Sequence, residues 1–140
     1  MGLLSWYAAI ALGLSLMAVT EGVQVAEEDR MNRLLDAIAR VESRNDPAAL
    51  GDAGRAVGVY QIHRAYWVDA TRVLGVDWDY RDAGNPRKAR RAVEAYLRHY
   101  GRGKTLLEMA RIHNGGPRGH TKTTTLAYAR KIEQARTSAC

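Results

Sequence analysis

Met31 to Ser43 reads MNRLLDAIARVES and runs through Arg44-Asn45-Asp46-Pro47 into Ala48 to Ile62, AALGDAGRAVGVYQI. In the first half, Met31, Leu34, Leu35, Ile38 and Val41 recur at the helical period, which predicts an amphipathic helix from Glu27 to Ser43. Glu27, Glu28 and Asp29 put negative charge at its start, where the helix dipole favours it. Asn45-Asp46-Pro47 ends it. In the second half the period changes. Gly51, Gly54 and Gly58 punctuate the chain, Asp52-Ala53-Gly54 reads as a turn, and Val57, Val59, Tyr60 and Ile62 suit a strand. A helix followed directly by a small β-hairpin is the expected arrangement.

Downstream the helical period returns. His63 to Leu74 carries Tyr66, Trp67, Ala70, Val73 and Leu74 on one face, and Gly75 stops it. Val76 to Gly84 reads as a loop. Asn85 and Pro86 suit the N-cap and first turn of a helix that runs to about Tyr100. Its apolar stripe is Ala89, Ala92, Val93, Tyr96, Leu97 and Tyr100, and Arg87, Lys88, Arg90, Arg91 and Arg98 crowd its outside. Thr105 to His113 forms a short helix, Asn114-Gly115-Gly116-Pro117 a sharp loop, and Thr123 to Ala135 the last helix. The fold class is α+β, mostly α.

Upstream, Leu3 to Val19 is an uncharged, mostly apolar run at the extreme N-terminus. It is shorter than the roughly 20 residues that span a bilayer. Residues 1–20 therefore read as a signal peptide or N-terminal anchor, with residues 3–19 as the anchoring stretch, residues 21–30 as a linker and 31–136 as one domain. Either way the domain is exported, as a secreted or periplasmic protein, and is expected to act as a monomer. The 140 residues carry a formal net charge of +6, which suits polyanionic partners. Export and the absence of any nucleic-acid motif argue against nucleic acid and leave anionic lipid or bacterial wall. The single cysteine, Cys140, excludes an internal disulfide. His63, His99, His113 and His120 lack metal-ligand spacing, so no metal and no cofactor is expected.

Glu42 stands out within the first helix. At ~100° per residue and with Leu34 at zero, Ile38 falls near ~40°, Glu42 near ~80° and Leu35 near ~100°. Glu42 thus lies on the apolar stripe, away from Asp36 and Arg40. A carboxyl on an apolar face is expected to hold its proton more tightly, which suits a general acid. The competing reading is a helix-end acid paired with Arg44 or Arg55. Asp52 follows in the hairpin turn and reads either as a turn residue or as a second carboxylate.

Three motifs narrow these alternatives. Val41-Glu42-Ser43 precedes Gly51-Asp52-Ala53-Gly54; Gly58-Val59-Tyr60-Gln61-Ile62 continues into Ala65-Tyr66-Trp67-Val68-Asp69; Ala110 to Gly119, ARIHNGGPRG, precedes Thr124-Thr125-Leu126-Ala127-Tyr128. Their order and spacing resemble the invertebrate-type (i-type, destabilase) lysozymes, over about residues 34 to 132. The Glu-Ser and Tyr-Gln-Ile pair also resembles lytic transglycosylases of the wider superfamily. The resemblance implies a lysozyme-like fold and hydrolysis of the N-acetylmuramic acid–N-acetylglucosamine bond of peptidoglycan. It makes Glu42 the general acid and Asp52 the second carboxylate. It implies that Ser43, Tyr60, Gln61, Ile62, Tyr66, His113, Asn114 and Gly115 bind the sugar. Family members are usually rich in disulfides, and this chain departs from that.

Among the aromatics, Trp67 reads as core, whereas Trp78 and Tyr80 lie in a loop and read as sugar platforms. The alternative function is a lytic transglycosylase that uses Glu42 alone and leaves 1,6-anhydromuramic ends. A catalytically dead wall-binding module is the rival from another class.

Overall fold

The computed structural model describes the backbone of residues 3–138 and the side chains of residue 17 and of residues 19–138; Cys140 lies outside the described residues. The first helix, α1, runs as Leu3–Ser43, so the expected linker at residues 21–30 is helical. The physical reason is compositional. EGVQVAEEDR holds one glycine and no proline, and its Glu, Gln and Ala residues favour helix. The chain divides into two compact units, Met1–Asn32 and Arg33–Cys140. In the first, Met17, Val19, Val23 and Val25 are exposed. Among the described residues no helix is long and apolar enough to cross a membrane.

The second unit holds the end of α1 and four further helices: α2 (Arg64–Leu74), α3 (Pro86–Tyr100), α4 (Leu106–Gly115) and α5 (Leu126–Thr137). Leu34, Leu35 and Ile38 of α1 are fully buried, as the periodicity requires, with Trp67, Val93, Leu97, Ile112 and Ile132. Burying each such side chain contributes roughly 1.5–3 kcal/mol. Arg40 of α1 donates to the Ala135 carbonyl at 3.0 Å and ties the two ends of this unit together. The helix ends follow their caps. Gly75 closes α2 in the left-handed region, Asn85 accepts from the Arg87 and Lys88 amides, and Thr105 and Glu108 form a capping box. α4 runs two residues past the expected end, through Asn114 and Gly115, and turns at Gly116.

The hairpin is smaller than its sequence suggests. β1 (Leu50–Gly51) pairs antiparallel with β2 (Ala56–Val57), with Leu50 opposite Val57 and Gly51 opposite Ala56. Tyr60 and Gln61 lie in a tight turn rather than a strand, and Ile62 returns to bridge Val57. The cause is two left-handed residues, Gly58 (φ 73°) and Gln61 (φ 47°), which fold the chain back on itself. Gly58 is also held by proximity, since a Cβ there would sit 2.7 Å from the Ala83 carbonyl oxygen.

Candidate active site

Glu42 sits in the last turn of α1, with one-fifth of its side chain exposed. Two groups converge on its Oε1. The Tyr128 hydroxyl of α5 donates at 2.7 Å, and His113 Nε2 of α4 lies at 3.5 Å. Oε2 takes no hydrogen bond among the described residues. His113 is itself buried, and its Nδ1 meets the Tyr66 hydroxyl of α2 at 3.1 Å. When Tyr66 donates to Nδ1, the remaining ring proton of neutral His113 sits on Nε2, facing Glu42. The Tyr66 ring stacks on Tyr96 at 4.0 Å between centroids. Four helices thus fix one carboxyl. Neither Arg44 nor Arg55 is its partner.

These neighbours reverse the expected electrostatics. Burial pushes the Glu42 carboxyl up, as the helical wheel anticipates. His113, Tyr128 and the more distant His63 together outweigh it and hold the carboxyl below its ordinary value. The two tyrosines move the other way. Burial and the nearby Glu42 charge raise Tyr66 and Tyr128, so both remain neutral hydroxyls.

Glu42 opens into a cleft of about 600 Å³ that Asp52 also lines, together with Gln61, Ile62, His63, Tyr66, His113 and Asn114. Asp52 follows β1 in a left-handed conformation (φ 49°), as does Ala53 (φ 56°), which is strained backbone for residues other than glycine. Arg55 Nη2 holds Asp52 Oδ1 at 2.8 Å, and His63 Nε2 lies 3.6 Å from Oδ2. Asp52 remains about half exposed, in contrast to Glu42. The two carboxylates share one cleft in two environments, one enclosed and one wet.

The remaining expected site residues divide. Gln61, Ile62, Tyr66, His113 and Asn114 line the cleft. The Gln61 amide is already engaged, donating to the Ala49 carbonyl at 3.2 Å and the Gly58 carbonyl at 2.9 Å. Its Oε1 occupies the space that a Cβ at Gly51 would need. Three residues are not brought to the cleft. Ser43 donates to the Val59 carbonyl at 2.8 Å, joining α1 to the hairpin turn. Tyr60 lines a separate pocket with Asp36 and Arg90; it is buried, and Arg90 donates to its hydroxyl at 3.2 Å. Gly115 packs under Thr125, where a Cβ would lie 2.7 Å from the threonine methyl.

The aromatic platforms also move. Trp67 is core, as expected. Trp78 packs against Trp67, with Lys88 and Arg91 over its ring, outside the cleft. Tyr80 donates to the Arg55 and Ile62 carbonyls, both at 2.9 Å, and Arg64 covers its ring. Tyr128 and His63 are site residues that sequence reasoning did not single out. Tyr128 lies within the quoted C-terminal motif, but its contact to Glu42 spans 86 residues and leaves no local signal. Among the described residues no cluster of three or more His, Cys, Asp or Glu side chains is placed to hold a metal ion.

Comparisons with known proteins bear on the family and the fold. The Destabilase family model matches residues 31–135. The chain is 40% identical over 80 residues to Lysozyme 1 of Crassostrea virginica and 41% over 75 residues to a lysozyme of Ostrea edulis. Those matches cover 54% and 51% of this chain but only 42% and 53% of the relatives, about half their length. A lysozyme of Meretrix lusoria is 33% identical over 108 residues, covering 73% of this chain and 87% of the relative. The solved structure of Aeromonas hydrophila PliI in complex with Meretrix lusoria lysozyme superposes with a TM-score of 0.63 at 30% identity, covering 73% of this chain and 87% of that one. An inhibitor-bound Meretrix lusoria lysozyme gives the same TM-score. Fold, matched span and residue identity together make this chain a member of the Destabilase family.

Proposed function

We propose that the chain is a lysozyme that hydrolyses the N-acetylmuramic acid–N-acetylglucosamine bond of peptidoglycan. The observation that carries this reading is one cleft lined by two unlike carboxylates: Glu42, enclosed and bonded through one oxygen, and Asp52, wet and paired with Arg55. Glu42 protonates the leaving glycosidic oxygen from Oε2. Asp52 attacks C1 or stabilises the oxocarbenium-like state, and water completes hydrolysis with retention. The division of labour follows from environment: Glu42 is enclosed and reaches the bound sugar through its free oxygen, whereas Asp52 is half exposed on the wet side of the same cleft.

Glu42 stands below its ordinary value in the free protein, so its acid form grows as the pH falls. Sugar in the cleft displaces water and deepens the burial of Glu42, which raises its hold on a proton where the reaction needs one. Gln61, Ile62, Tyr66, His113 and Asn114 form the wall against which the glycan lies. Residues 1–20 act as the export signal or anchor that brings the enzyme to the wall.

The test is the mass of products released from purified peptidoglycan. Reducing muramic-acid ends with retained configuration are expected. Anhydromuramic ends would make the chain a transglycosylase working through Glu42 alone. Binding without release would leave a wall-binding module.

A further inference from the structure

The cleft does not end at Asp52. A second groove, of about 460 Å³, shares His63 and Ala65 with it and continues along Gly54, Arg55, Arg64 and Tyr80. Its lining is mostly apolar, but its rim is cationic. Arg55 is neutralised by Asp52 at 2.8 Å, and nearby Arg81 is neutralised by Asp79 at 2.9 Å. Arg64 is different. Its guanidinium lies over the Tyr80 ring, 4.5 Å from the centroid, and it forms no salt bridge with a carboxylate among the described residues. Asp79 feels its field, but Asp79 is already committed to Arg81.

The Tyr80 ring is a fixed support, because its hydroxyl is tied to two backbone carbonyls. A guanidinium held over an aromatic face by cation–π attraction keeps N–H groups that the ring does not engage. Such N–H groups can grip a carboxylate through two parallel hydrogen bonds. Packing over the ring also removes part of the rotamer freedom that a free arginine would lose on binding. A neutral sugar offers Arg64 no charge partner. The muramic-acid units of the wall carry short peptide stems with free carboxylates and small apolar side chains. Both features match a groove of apolar floor and cationic rim.

We propose that this groove is a carboxylate-reading extension of the cleft, which takes the acidic peptide stem of a muramic-acid unit bound beyond Asp52. The proposal rests on the lysozyme reading and adds that the enzyme prefers stem-bearing strands over bare glycan. Arg64 is the residue that sets this preference. It is exposed on the first turn of α2, so its replacement leaves the core untouched.

The experiment measures kcat/KM of the full chain and of Arg64→Gln on two polymers: peptidoglycan strands with their stems, and the same strands stripped by an amidase. The wild-type protein should favour stem-bearing strands, and Arg64→Gln, which keeps at most one neutral bond in place of the charge-assisted pair, should reduce that ratio at least about tenfold. An unchanged ratio, with both substrates cut, overturns the groove assignment and leaves the lysozyme reading standing. If neither polymer is cut, the lysozyme reading fails. The groove is then judged by chemical-shift titration with a soluble stem pentapeptide. Shifts at Ala65 and Tyr80 that vanish in Arg64→Gln support the groove, and their absence in the wild-type protein overturns it.

Discussion

Glu42 experiences two opposed influences, and their balance decides its chemistry. Burial favours the neutral acid. His113 and Tyr128 favour the carboxylate and win in the free protein. Glu42→Gln preserves the shape and still accepts the Tyr128 hydrogen bond, yet it cannot donate a proton as an acid. Its kcat should fall on the order of 10³-fold with the fold intact, measured by turbidity loss of a wall suspension and by circular dichroism. His113→Leu removes the imidazole that lowers Glu42, chiefly through its hydrogen bond, and leaves burial opposed by Tyr128 and His63 alone. The basic limb of the kcat/KM profile, which reports the acid in the free enzyme, should move to higher pH. A limb that stays in place would remove His113 from control of Glu42. The stability consequence has the opposite dependence. A carboxyl lowered by folding stabilises the fold above its ordinary value of 4.5, and that contribution is lost as the pH falls through the lowered value. The melting temperature of the wild-type protein should therefore converge toward that of Glu42→Gln on acidification, and scanning calorimetry across that range measures it.

Among the elements, the hairpin turn is where sequence and structure diverge most. The helices were legible because apolar periodicity and caps are local: Asn85, Thr105 and Gly75 sit where their side chains or lack of one require. Val57 to Ile62 reads as a strand because Val, Tyr and Ile favour one, but Gly58 and Gln61 adopt left-handed angles that no propensity for extended chain anticipates. The same limit hid Tyr128 and inverted the shift at Glu42, since both depend on partners brought from α4 and α5. The turn also changes the role of Gln61. Its amide bonds two backbone carbonyls, so the side chain clamps the hairpin that carries Asp52. Gln61→Ala should destabilise the protein by about 1–2 kcal/mol through two lost hydrogen bonds. Urea unfolding measures this, alongside a lower kcat as Asp52 loses its fixed position. A higher KM at unchanged stability would instead make Gln61 a sugar ligand only.

At the scale of the whole molecule, a net charge of +6 has to be set against its internal pairing. The basic face of α3 is largely neutralised: Lys88 pairs with Asp82, Arg90 with Asp36 and Arg98 with Glu94. What remains beyond the Arg64 groove is a diffuse positive field, and such a field favours approach to a polyanion such as the proposed wall substrate. Diffuse fields are screened within a Debye length, about 30 Å at 0.01 M salt and about 8 Å at 0.15 M. Lysis of intact wall should therefore slow as salt rises over that range, through KM rather than kcat. Hydrolysis of a neutral, soluble chito-oligosaccharide has no long-range attraction to lose and should change little over the same range. Measuring both substrates across one salt series separates field from chemistry. Parallel loss on both would mean that salt acts inside the cleft, where it would weaken the Glu42–His113 and Asp52–Arg55 pairs rather than the approach to the wall.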